Sequence, residues 1–380
     1  MAIMNQHKSN IRIILVANTS WYLYNFRLPL IKELLSRGYN VFALSPTDSY
    51  VANLQKYGIE HININMTRGG INPFEDIFLL LKFIDIYRKY KPDAIQHFTI
   101  KPVIYGTIAA CVSHIKYIYN MIPGLGYVFT DNSLKKFLVR GIVRFLYRKS
   151  LYLSKHLYFQ NQSDRDYFIN HKLVNKEKTS VVPGTGVNTI RFSPGNRKKK
   201  NEITFILVAR MLWDKGIKEF VEAARILKEK YQNITFWLLG PVDRQNPRGI
   251  LPEQLENWNK EGAIKYLGMT DNVKLYLEKA DVIVLPSYYR EGIPLSLLEG
   301  AAMGMPIVTT DSVGCREVIE EGKNGFLVPI KDPERLSSTM EQFLLNPDLV
   351  YLMGKESRKM AVTKFDSRKI VQEILRYYPF

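Results

Sequence analysis

Two glutamates, Glu291 and Glu299, stand on either side of a loop that leads from an apolar run into an expected helix. The run DVIVL, residues 281–285, is rich in β-branched residues and predicts a strand buried on both faces. Gly292 lets the backbone approach a ligand closely, and Pro294 suits the first turn of the helix that carries Glu299. Unpaired N–H groups at a helix N-terminus favour a diphosphate, and carboxylates accept hydrogen bonds from hydroxyls. The combination predicts a nucleotide-sugar site.

A second interpretation of the two glutamates is open. Most glutamates are exposed, so Glu291 could be a solvated loop acid and Glu299 an exposed helix residue. Glu299, however, lies in LSLLEGAAMG, an apolar and small-residue segment in which an unpaired charge would be costly. We therefore expect the Glu299 carboxylate to have a partner.

The same segment carries a resemblance to a known family. Glu291 and Glu299, with seven residues between them in EGIPLSLLEGAAMGMPIV, resemble the E-x7-E signature of the family 4 retaining glycosyltransferases, which share the two-domain GT-B fold. The resemblance covers nearly the whole chain. Within the family, NFRLPLIKEL, TRGGINPF, GLGYVF and ARMLWDKGIKEF are most similar to bacterial enzymes that extend undecaprenyl-diphosphate-linked sugars, including α-1,3-N-acetylgalactosaminyltransferases of glycan and O-antigen assembly.

The resemblance implies that two basic residues bind the donor diphosphate. Arg210 and Lys215 follow the predicted strand 203–208 and match an arginine and a lysine of the family. Two cations facing a leaving UDP would stabilise the charge that grows as the glycosidic bond breaks, in place of a metal ion. The alternative is an ion pair of these cations with Glu219 or Asp214.

The resemblance also implies roles around the two glutamates. Glu291 would orient the donor sugar and Glu299 the ribose. The phosphates would be held by the segment Gly292, Ile293, Pro294 and Leu295. No D-x-D sequence lies in a predicted nucleotide loop, so we expect transfer that needs no metal and no cofactor besides the UDP-sugar substrate. The leaving phosphate would itself take the proton of the acceptor hydroxyl.

Three predicted strands end in glycine turns at positions where the donor could bind. Gly240 and Gly268 end two strands at the edge where a base and ribose could lie. Many family members have a histidine that contacts the donor sugar in a further turn, where this chain has Pro123 and Gly124. That contact cannot be carried over.

The first half of the chain offers candidates for binding an acceptor. We expect a loop at 18–25 after the first strand, in which Tyr24 could stack on an acceptor sugar, with Arg27 just beyond it to meet a phosphate. The alternative is that these side chains merely close the domain edge. Arg68 lies in a glycine turn, and its guanidinium could bind a lipid diphosphate in a bidentate way.

Length and composition indicate two α/β domains. The 380 residues are enough for two cores. We expect a GT-B architecture of two Rossmann-like domains facing a central cleft: an acceptor-binding domain at 1–192, a linker at 193–201, a nucleotide-sugar domain at 202–365, and a helix at 366–380 that returns to the first domain. The two cysteines, Cys111 and Cys315, form no C-x-x-C pair, so neither a disulfide framework nor a zinc site is indicated.

The formal charge of +17 calls for an anionic partner. Within the predicted helix 133–155, Lys136, Arg140, Arg144 and Arg148 lie four residues apart on one face. A basic amphipathic helix of this kind is typical of elements that bind an anionic membrane surface, and the alternative is a packed helix with a solvated basic face. No run is apolar enough to span a bilayer, so we expect a cytoplasmic protein that is peripheral on the inner face of the membrane.

Two other functions remain open at this stage. A UDP-N-acetylhexosamine epimerase of the same fold would act on the donor alone. A non-enzymatic basic protein would bind membrane or nucleic acid, although no nucleic-acid motif is present and no nucleic-acid partner is expected. The second reading leaves Glu291, Glu299 and the glycine turns without a purpose.

Overall fold

The structure is a computed structural model that describes residues 10–67, 72–124, 134–195, 202–244, 246–290 and 292–380, with the backbone alone for 134–139. The chain divides into two compact units. The first comprises Met1–Thr185 and Ile370–Phe380, and the second Gly186–Lys369. Within the ranges given above, no helix has both the length and the sustained apolar character that crossing a bilayer requires.

The first unit is built on a seven-stranded parallel sheet in the order β3-β2-β1-β4-β5-β6-β7. Its strands are β1 (Arg12–Val16), β2 (Asn40–Ser45), β3 (Glu60–Asn63), β4 (Ala94–Phe98), β5 (Tyr117–Ile122), β6 (His156–Phe159) and β7 (Thr179–Val181). Along β1, Ile13 and Leu15 enter one apolar cluster while Ile14 and Val16 enter another. The sheet is therefore covered on both faces, as its β-branched strands predict.

The helices of the first unit cover those two faces. They are α1 (Ser20–Ser36), α2 (Val51–Gln55), α3 (Pro73–Tyr90), α4 (Thr107–Val112), α5 (Leu134–Tyr152) and α6 (Gln162–Asn170), with a π-helical turn at Pro102–Gly106 leading into α4. The Asn72 side chain accepts a hydrogen bond from the Phe74 amide and caps α3, as its position before Pro73 predicts.

The second unit repeats the pattern with a six-stranded parallel sheet in the order β10-β9-β8-β11-β12-β13. Its strands are β8 (Ile203–Val208), β9 (Ile234–Leu239), β10 (Lys265–Tyr266), β11 (Val282–Leu285), β12 (Ile307–Thr310) and β13 (Gly325–Val328). Its helices are α7 (Ile217–Lys230), α8 (Pro252–Lys260), α9 (Lys274–Leu277), α10 (Leu295–Ala302), α11 (Pro333–Leu345) and α12 (Asp348–Lys364), and α13 (Ser367–Leu375) runs from the second unit into the first.

Each sheet has one point at which the strand order reverses. It lies between β1 and β4 in the first unit and between β8 and β11 in the second. Loops after these strand pairs diverge to opposite faces of the sheet and leave a crevice, the usual ligand site of open α/β sheets. The predicted Rossmann-like sheets are confirmed.

The expected loop at 18–25 is wrong, because α1 begins at Ser20. Thr19 is its N-cap, and the Thr19 hydroxyl accepts a hydrogen bond from the Tyr22 amide at 3.0 Å. Tyr24 therefore lies in the helix, where its ring packs against Tyr50 with centroids 5.6 Å apart. This contact matches the edge-closing alternative for Tyr24, and the Tyr24 side chain remains partly exposed.

Residues 370–380, which begin within α13, complete the core of the first unit. The Tyr378 ring stacks on Tyr119 with centroids 4.3 Å apart, and its hydroxyl donates to Gln96 Oε1 at 2.8 Å. The Tyr158 hydroxyl donates to the carbonyl of Ile374 at 2.8 Å. Residues 186–192 pack in the second unit, where Phe192 is part of the core.

Candidate functional site

The loops that follow β8 and β11 meet at the reversal point of the second sheet. The first is residues 209–216 and includes Arg210 and Lys215, and the second is residues 286–294 and leads into α10. Because β8 and β11 are hydrogen-bonded neighbours, both loops leave the same edge of the sheet. Among the described residues, the structure thus brings Arg210, Lys215 and the predicted donor segment 292–294 to one crevice.

Backbone hydrogen bonds join these two loops. The carbonyl oxygen of Asp214 accepts from the amides of Tyr288 at 3.0 Å and Tyr289 at 3.1 Å, and from the Ser287 hydroxyl at 3.2 Å. Gly216 has φ +73°, and a Cβ there would lie 2.1 Å from the carbonyl oxygen of Pro286. The close approach of the loops therefore requires a glycine at this position.

The two cations in the first loop have different surroundings. Arg210 Nη1 lies 3.1 Å from Asp243 Oδ2, and the Arg210 side chain is 44% exposed. Such an exposed ion pair is weak, so an anionic ligand can compete for the guanidinium. Lys215 is buried, with its ammonium 5.4 Å from the centroid of the Tyr289 ring. Arg210 thus forms an ion pair, but with neither of the acids that the sequence suggested.

The Asp214 side chain is held by Arg248. The Arg248 Nε lies 3.2 Å from Asp214 Oδ1 and 3.1 Å from Oδ2, and its Nη2 also donates to Oδ1. The Asp214 carboxylate is thus paired with Arg248, whereas Arg210 is paired with Asp243. Sequence reasoning missed Arg248 because it lies 34 residues from Asp214 in the chain.

The path into α10 is fixed by hydroxyl groups from the end of β12. The Thr309 hydroxyl donates to the Leu285 carbonyl at 2.6 Å, the Ser312 hydroxyl to the Ser287 carbonyl at 3.0 Å, and Thr310 to that same carbonyl. These contacts satisfy the buried backbone that follows β11.

The N-terminus of α10 has the features of an anion site. Its N-cap is Pro294, which makes no side-chain hydrogen bond to the first turn. Gly292, Ile293 and Pro294 are buried, so the segment is ordered by packing. The amides of the first helical turn have no side-chain cap and can donate to a phosphate.

Glu299 lies one turn further along α10. Burial raises the pKa of its carboxyl from 4.5 to about 7, and the charge of Arg191 opposes the shift. In the described part of the chain, no side chain or amide donates a hydrogen bond to this carboxylate, and the charge of Arg191 is the protein interaction that offsets its burial. A half-buried carboxylate without a donor is suited to hydroxyl groups of a ligand.

The glycine turns at the carboxyl edge are tied to each other. The Gly240 amide donates to the Gly268 carbonyl at 2.8 Å, and the Tyr266 hydroxyl donates to the Gly240 carbonyl at 2.9 Å. A Cβ on Gly240 would lie 1.8 Å from the carbonyl oxygen of Ala209, so the space that this glycine provides is filled by the chain's own backbone. Gly268 has open space on its Cα.

Two predicted site residues, Glu291 and Arg68, lie outside the described residues. Their roles stay predictions. The same holds for part of the linker, of which residues 196–201 are also outside.

Arg27 is the predicted acceptor residue with the clearest setting. It is 2% exposed, and its guanidinium carbon lies 4.5 Å from the centroid of Phe98 and 5.3 Å from that of Tyr22. Nη2 donates to the Tyr22 hydroxyl at 2.6 Å, and to Gln160 Oε1 at 3.3 Å when the Gln160 amide donates to Pro123 O. Arg27 Nε has no hydrogen-bond acceptor, and no carboxylate of the described chain pairs with this cation.

Phe98 and Gln160 are residues that sequence reasoning missed around Arg27. Phe98 ends β4, Gln160 follows β6, and Arg27 lies on the helix after β1. These residues therefore meet only when the parallel strands align their carboxyl edges. A buried guanidinium held by rings and neutral amides keeps its positive charge for an anion. The arrangement can receive a phosphate group.

His97 is a satisfied core residue of the first unit. Its Nε2 lies 2.9 Å from the Tyr87 hydroxyl and its Nδ1 3.0 Å from Asn120 Oδ1. Burial lowers the pKa of His97 to about 3, with the Asn120 hydrogen bond opposing the shift. Gly106 leaves room for the imidazole, since a Cβ there would lie 2.5 Å from it. The histidine is neutral and structural.

Comparison with protein families matches both units. Residues 188–360 match the model described as glycosyl transferases group 1, and residues 12–161 match that of glycosyl transferase 4-like proteins. The chain is 31% identical over 382 residues to the N,N'-diacetylbacillosaminyl-diphospho-undecaprenol alpha-1,3-N-acetylgalactosaminyltransferase of Campylobacter jejuni, covering 97% of this chain and 98% of that enzyme. It is 24% identical to the UDP-Gal:alpha-D-GlcNAc-diphosphoundecaprenol alpha-1,3-galactosyltransferase of Escherichia coli, covering 81% of each.

Solved structures agree with the fold. A glycosyltransferase from Rickettsia africae ESF-5 superposes with a TM-score of 0.76 at 20% identity, covering 97% of this chain and 98% of that one. Anabaena HepE in complex with UDP superposes with a TM-score of 0.76 at 17% identity, covering 97% and 99%. The GT-B fold is confirmed, and the matches favour neither the epimerase nor the nucleic-acid-binding interpretation.

Proposed function

Because the chain belongs to the glycosyl transferases group 1 family, we propose that it transfers N-acetylgalactosamine from a UDP-sugar to an undecaprenyl-diphosphate-linked saccharide, with an α-1,3 linkage and retention at the anomeric carbon. The observation that carries the proposal is the likeness to the Campylobacter jejuni enzyme over 97% of the chain. The Escherichia coli relative is likewise named for a diphosphoundecaprenol acceptor and an α-1,3 linkage. The product would serve bacterial polysaccharide or glycan biosynthesis.

The second unit would bind the donor. Amides in the first turn of α10 would hold the diphosphate, Glu299 would accept hydrogen bonds from ribose hydroxyls, and Glu291 would orient the sugar. The raised pKa of Glu299 supports this role, since the carboxylate is kept in a dry position without a protein donor. Gly268 offers open space beside the strand edge for the nucleoside.

Arg210 and Lys215 would stabilise the leaving group. As the bond between the anomeric carbon and the diphosphate oxygen breaks, negative charge grows on UDP. The partly exposed Arg210 can leave Asp243 for that charge, and the buried Lys215 carries a fixed ammonium on the neighbouring turn. We propose that these two cations make a metal ion unnecessary.

Retention requires that the new bond form on the face from which UDP departs. In the proposed step, the acceptor hydroxyl oxygen bonds to the anomeric carbon while the bond to the diphosphate oxygen breaks. The proton of the hydroxyl passes to the departing phosphate oxygen, so atoms and charges balance without an enzymatic nucleophile. The protein positions both partners and stabilises the departing charge.

The first unit would bind the acceptor. Arg27, a buried cation with no carboxylate partner in the described chain, would bind a phosphate of the polyprenyl diphosphate, with Arg68 as a further clamp. Tyr24 would border the acceptor sugar from α1. Because that acceptor is membrane-linked, we propose that the enzyme is cytoplasmic and peripheral on the inner membrane face.

Release of UDP tests the proposal directly. The enzyme is incubated in EDTA with UDP-N-acetylgalactosamine, UDP-galactose or UDP-N-acetylglucosamine, with and without a short-chain polyprenyl-diphosphate-N-acetylhexosamine. We expect UDP only when acceptor and UDP-N-acetylgalactosamine are both present. Release that needs an added divalent cation would refute the metal-independent step. Conversion of the donor without acceptor would identify an epimerase instead.

A further inference from the structure

Helix α3 presents a large apolar face to solvent. Its inner face buries Asp76, Leu79, Phe83 and Tyr87. On the opposite side lie four large apolar side chains at i, i+3, i+4 and i+7, with exposed fractions of 77% for Phe74, 57% for Ile77, 66% for Phe78 and 56% for Leu81. A contiguous exposed stripe of this kind marks an interaction surface, because scattered single residues would not share one helix face.

The stripe is placed at the ligand edge of the first sheet. In a parallel sheet, the helix that follows a strand begins at the carboxyl edge, and α3 follows β3. The apolar residues occupy the first three turns of α3, whereas Asp85 and Arg88 take over the same face further along. The apolar half of α3 is therefore the half that begins at the edge where Arg27 lies.

Helix α5 of the same unit also exposes basic and apolar residues. Both α3 and α5 pack against the segment formed by the π-helical turn and α4. On α5, Ile142 is 52% exposed, Phe145 is 60% exposed, and the exposed Lys149 has its ammonium 5.7 Å from the Phe145 ring. The sequence of α5 contains six basic residues and no acidic residue. Helix α5 therefore carries a strong net positive charge.

Two of those basic residues have structural roles. Arg144 Nε donates to the Tyr167 hydroxyl at 3.0 Å, and Arg148 donates to the carbonyls of Lys172 at 3.0 Å and His171 at 3.1 Å. They hold α6 and the turn after it. Part of the basic face of α5 therefore packs against the protein.

We propose that the outer face of α3, with Ile142, Phe145 and Lys149 of α5, docks the enzyme on an anionic lipid bilayer. We call this set the docking face. The apolar side chains enter the interface between headgroups and acyl chains, and the positive charge of α5 meets anionic headgroups. The proposal rests on the proposed function, because a lipid-linked acceptor puts its diphosphate at that depth. The stripe begins at the edge where Arg27 would receive it.

Vesicle binding of the full chain tests the docking face. Binding is measured by co-sedimentation with phosphatidylcholine vesicles that contain about 30 mol % phosphatidylglycerol, and with phosphatidylcholine alone. The test variant is Phe74→Ser with Leu81→Ser. The control is Tyr351→Ser with Leu352→Ser on α12, whose side chains are 74% and 57% exposed. We expect the test variant to lose about tenfold or more in partition coefficient, and the control to stay within about twofold of wild type.

The outcomes separate docking from catalysis. Equal vesicle binding by wild type and test variant, or no binding by wild type to anionic vesicles, would overturn the docking face. The docking face would also be overturned if the wild type formed a dimer and the test variant lost the dimer but kept vesicle binding. A second copy of the chain would then cover the stripe. The test variant should keep wild-type UDP release with the short-chain acceptor in solution. Absence of UDP release from the wild type would overturn the proposed function while the vesicle result stands by itself.

Discussion

The raised pKa of Glu299 predicts that replacing its carboxylate by a neutral side chain stabilises the protein and weakens donor binding. Burial raises the pKa of this carboxyl from 4.5 to about 7. The unfolded chain therefore releases the proton near pH 4.5, and the folded protein keeps it until about pH 7. As the pH rises from 4.5 to about 7, ionisation of Glu299 progressively lowers the free energy of unfolding. Above about pH 7 the full loss of stability is present. Glu299→Gln has no proton to lose and escapes the penalty.

The magnitude of the stabilisation follows from the two pKa values. The gap between 4.5 and about 7, at about 1.4 kcal/mol per pKa unit, corresponds to about 3.5 kcal/mol as an upper bound. The side chain keeps some exposure, so about 2 kcal/mol is a reasonable expectation. In a unit of this size, that amounts to about 6 °C in melting temperature.

Calorimetry of wild type and Glu299→Gln at pH 5 and pH 8 measures the effect. We expect the variant to melt about 6 °C above wild type at pH 8 and by much less at pH 5. Comparing the melting temperatures at the two pH values removes any effect of the glutamine amide that does not depend on pH. Glu229→Gln, at an exposed position of α7, serves as the control with no such pH dependence. The same melting difference at both pH values would refute the reasoning.

The donor side of this prediction is measured separately. At pH 8 the variant should have a Michaelis constant for the UDP-sugar at least tenfold above that of wild type, because a neutral amide is a poorer acceptor for two hydroxyls than a carboxylate. In wild type the same constant should rise as the pH falls below about 7, where Glu299 becomes protonated. A normal donor constant in the variant would remove Glu299 from the binding site.

Five further substitutions test other parts of the two units. Arg210→Ala and Lys215→Ala should each lower kcat by about 10²-fold in steady-state assays with little change in the donor Michaelis constant, and unchanged turnover in both would remove them from the leaving-group role. Gly216→Ala should lower the free energy of unfolding by about 2 kcal/mol or more and weaken UDP binding in calorimetry, because its Cβ would meet a carbonyl oxygen at 2.1 Å. Gly262→Ala, also at positive φ but with open space around it, should cost about 1 kcal/mol, and equal losses would contradict the packing argument. Arg27→Met should raise the acceptor Michaelis constant at least tenfold and leave that of the donor unchanged, and an unaltered acceptor constant would place the phosphate elsewhere.

Much of the fold could be predicted because the strands are buried on both faces. Runs such as residues 203–208 and 281–285 are continuously apolar and β-branched, which is what a covered parallel sheet requires. The start of α1 was missed because residues 21–25 are aromatic and polar without helical periodicity, although Thr19 is a common N-cap residue.

The surroundings of the site residues could not be predicted in the same way. Nothing in the sequence links Asp214 to Arg248, or Arg27 to Gln160, because these pairs come together only through the order of the strands. The stripe on α3 was hidden for a different reason. The segment FEDIFLLLKFIDIY is apolar on nearly every side, so its periodicity does not reveal which side faces the core.

The packing of residues 370–380 in the first unit sets an order for biosynthesis. The strands of that unit are synthesised first, yet Tyr119 and Tyr158 lack their stacking and hydrogen-bonding partners until Tyr378 and Ile374 have followed the whole second unit. On the ribosome, the second unit can therefore complete its core earlier than the first. The unit proposed to bind the nucleotide sugar would then mature before the unit proposed to bind the acceptor.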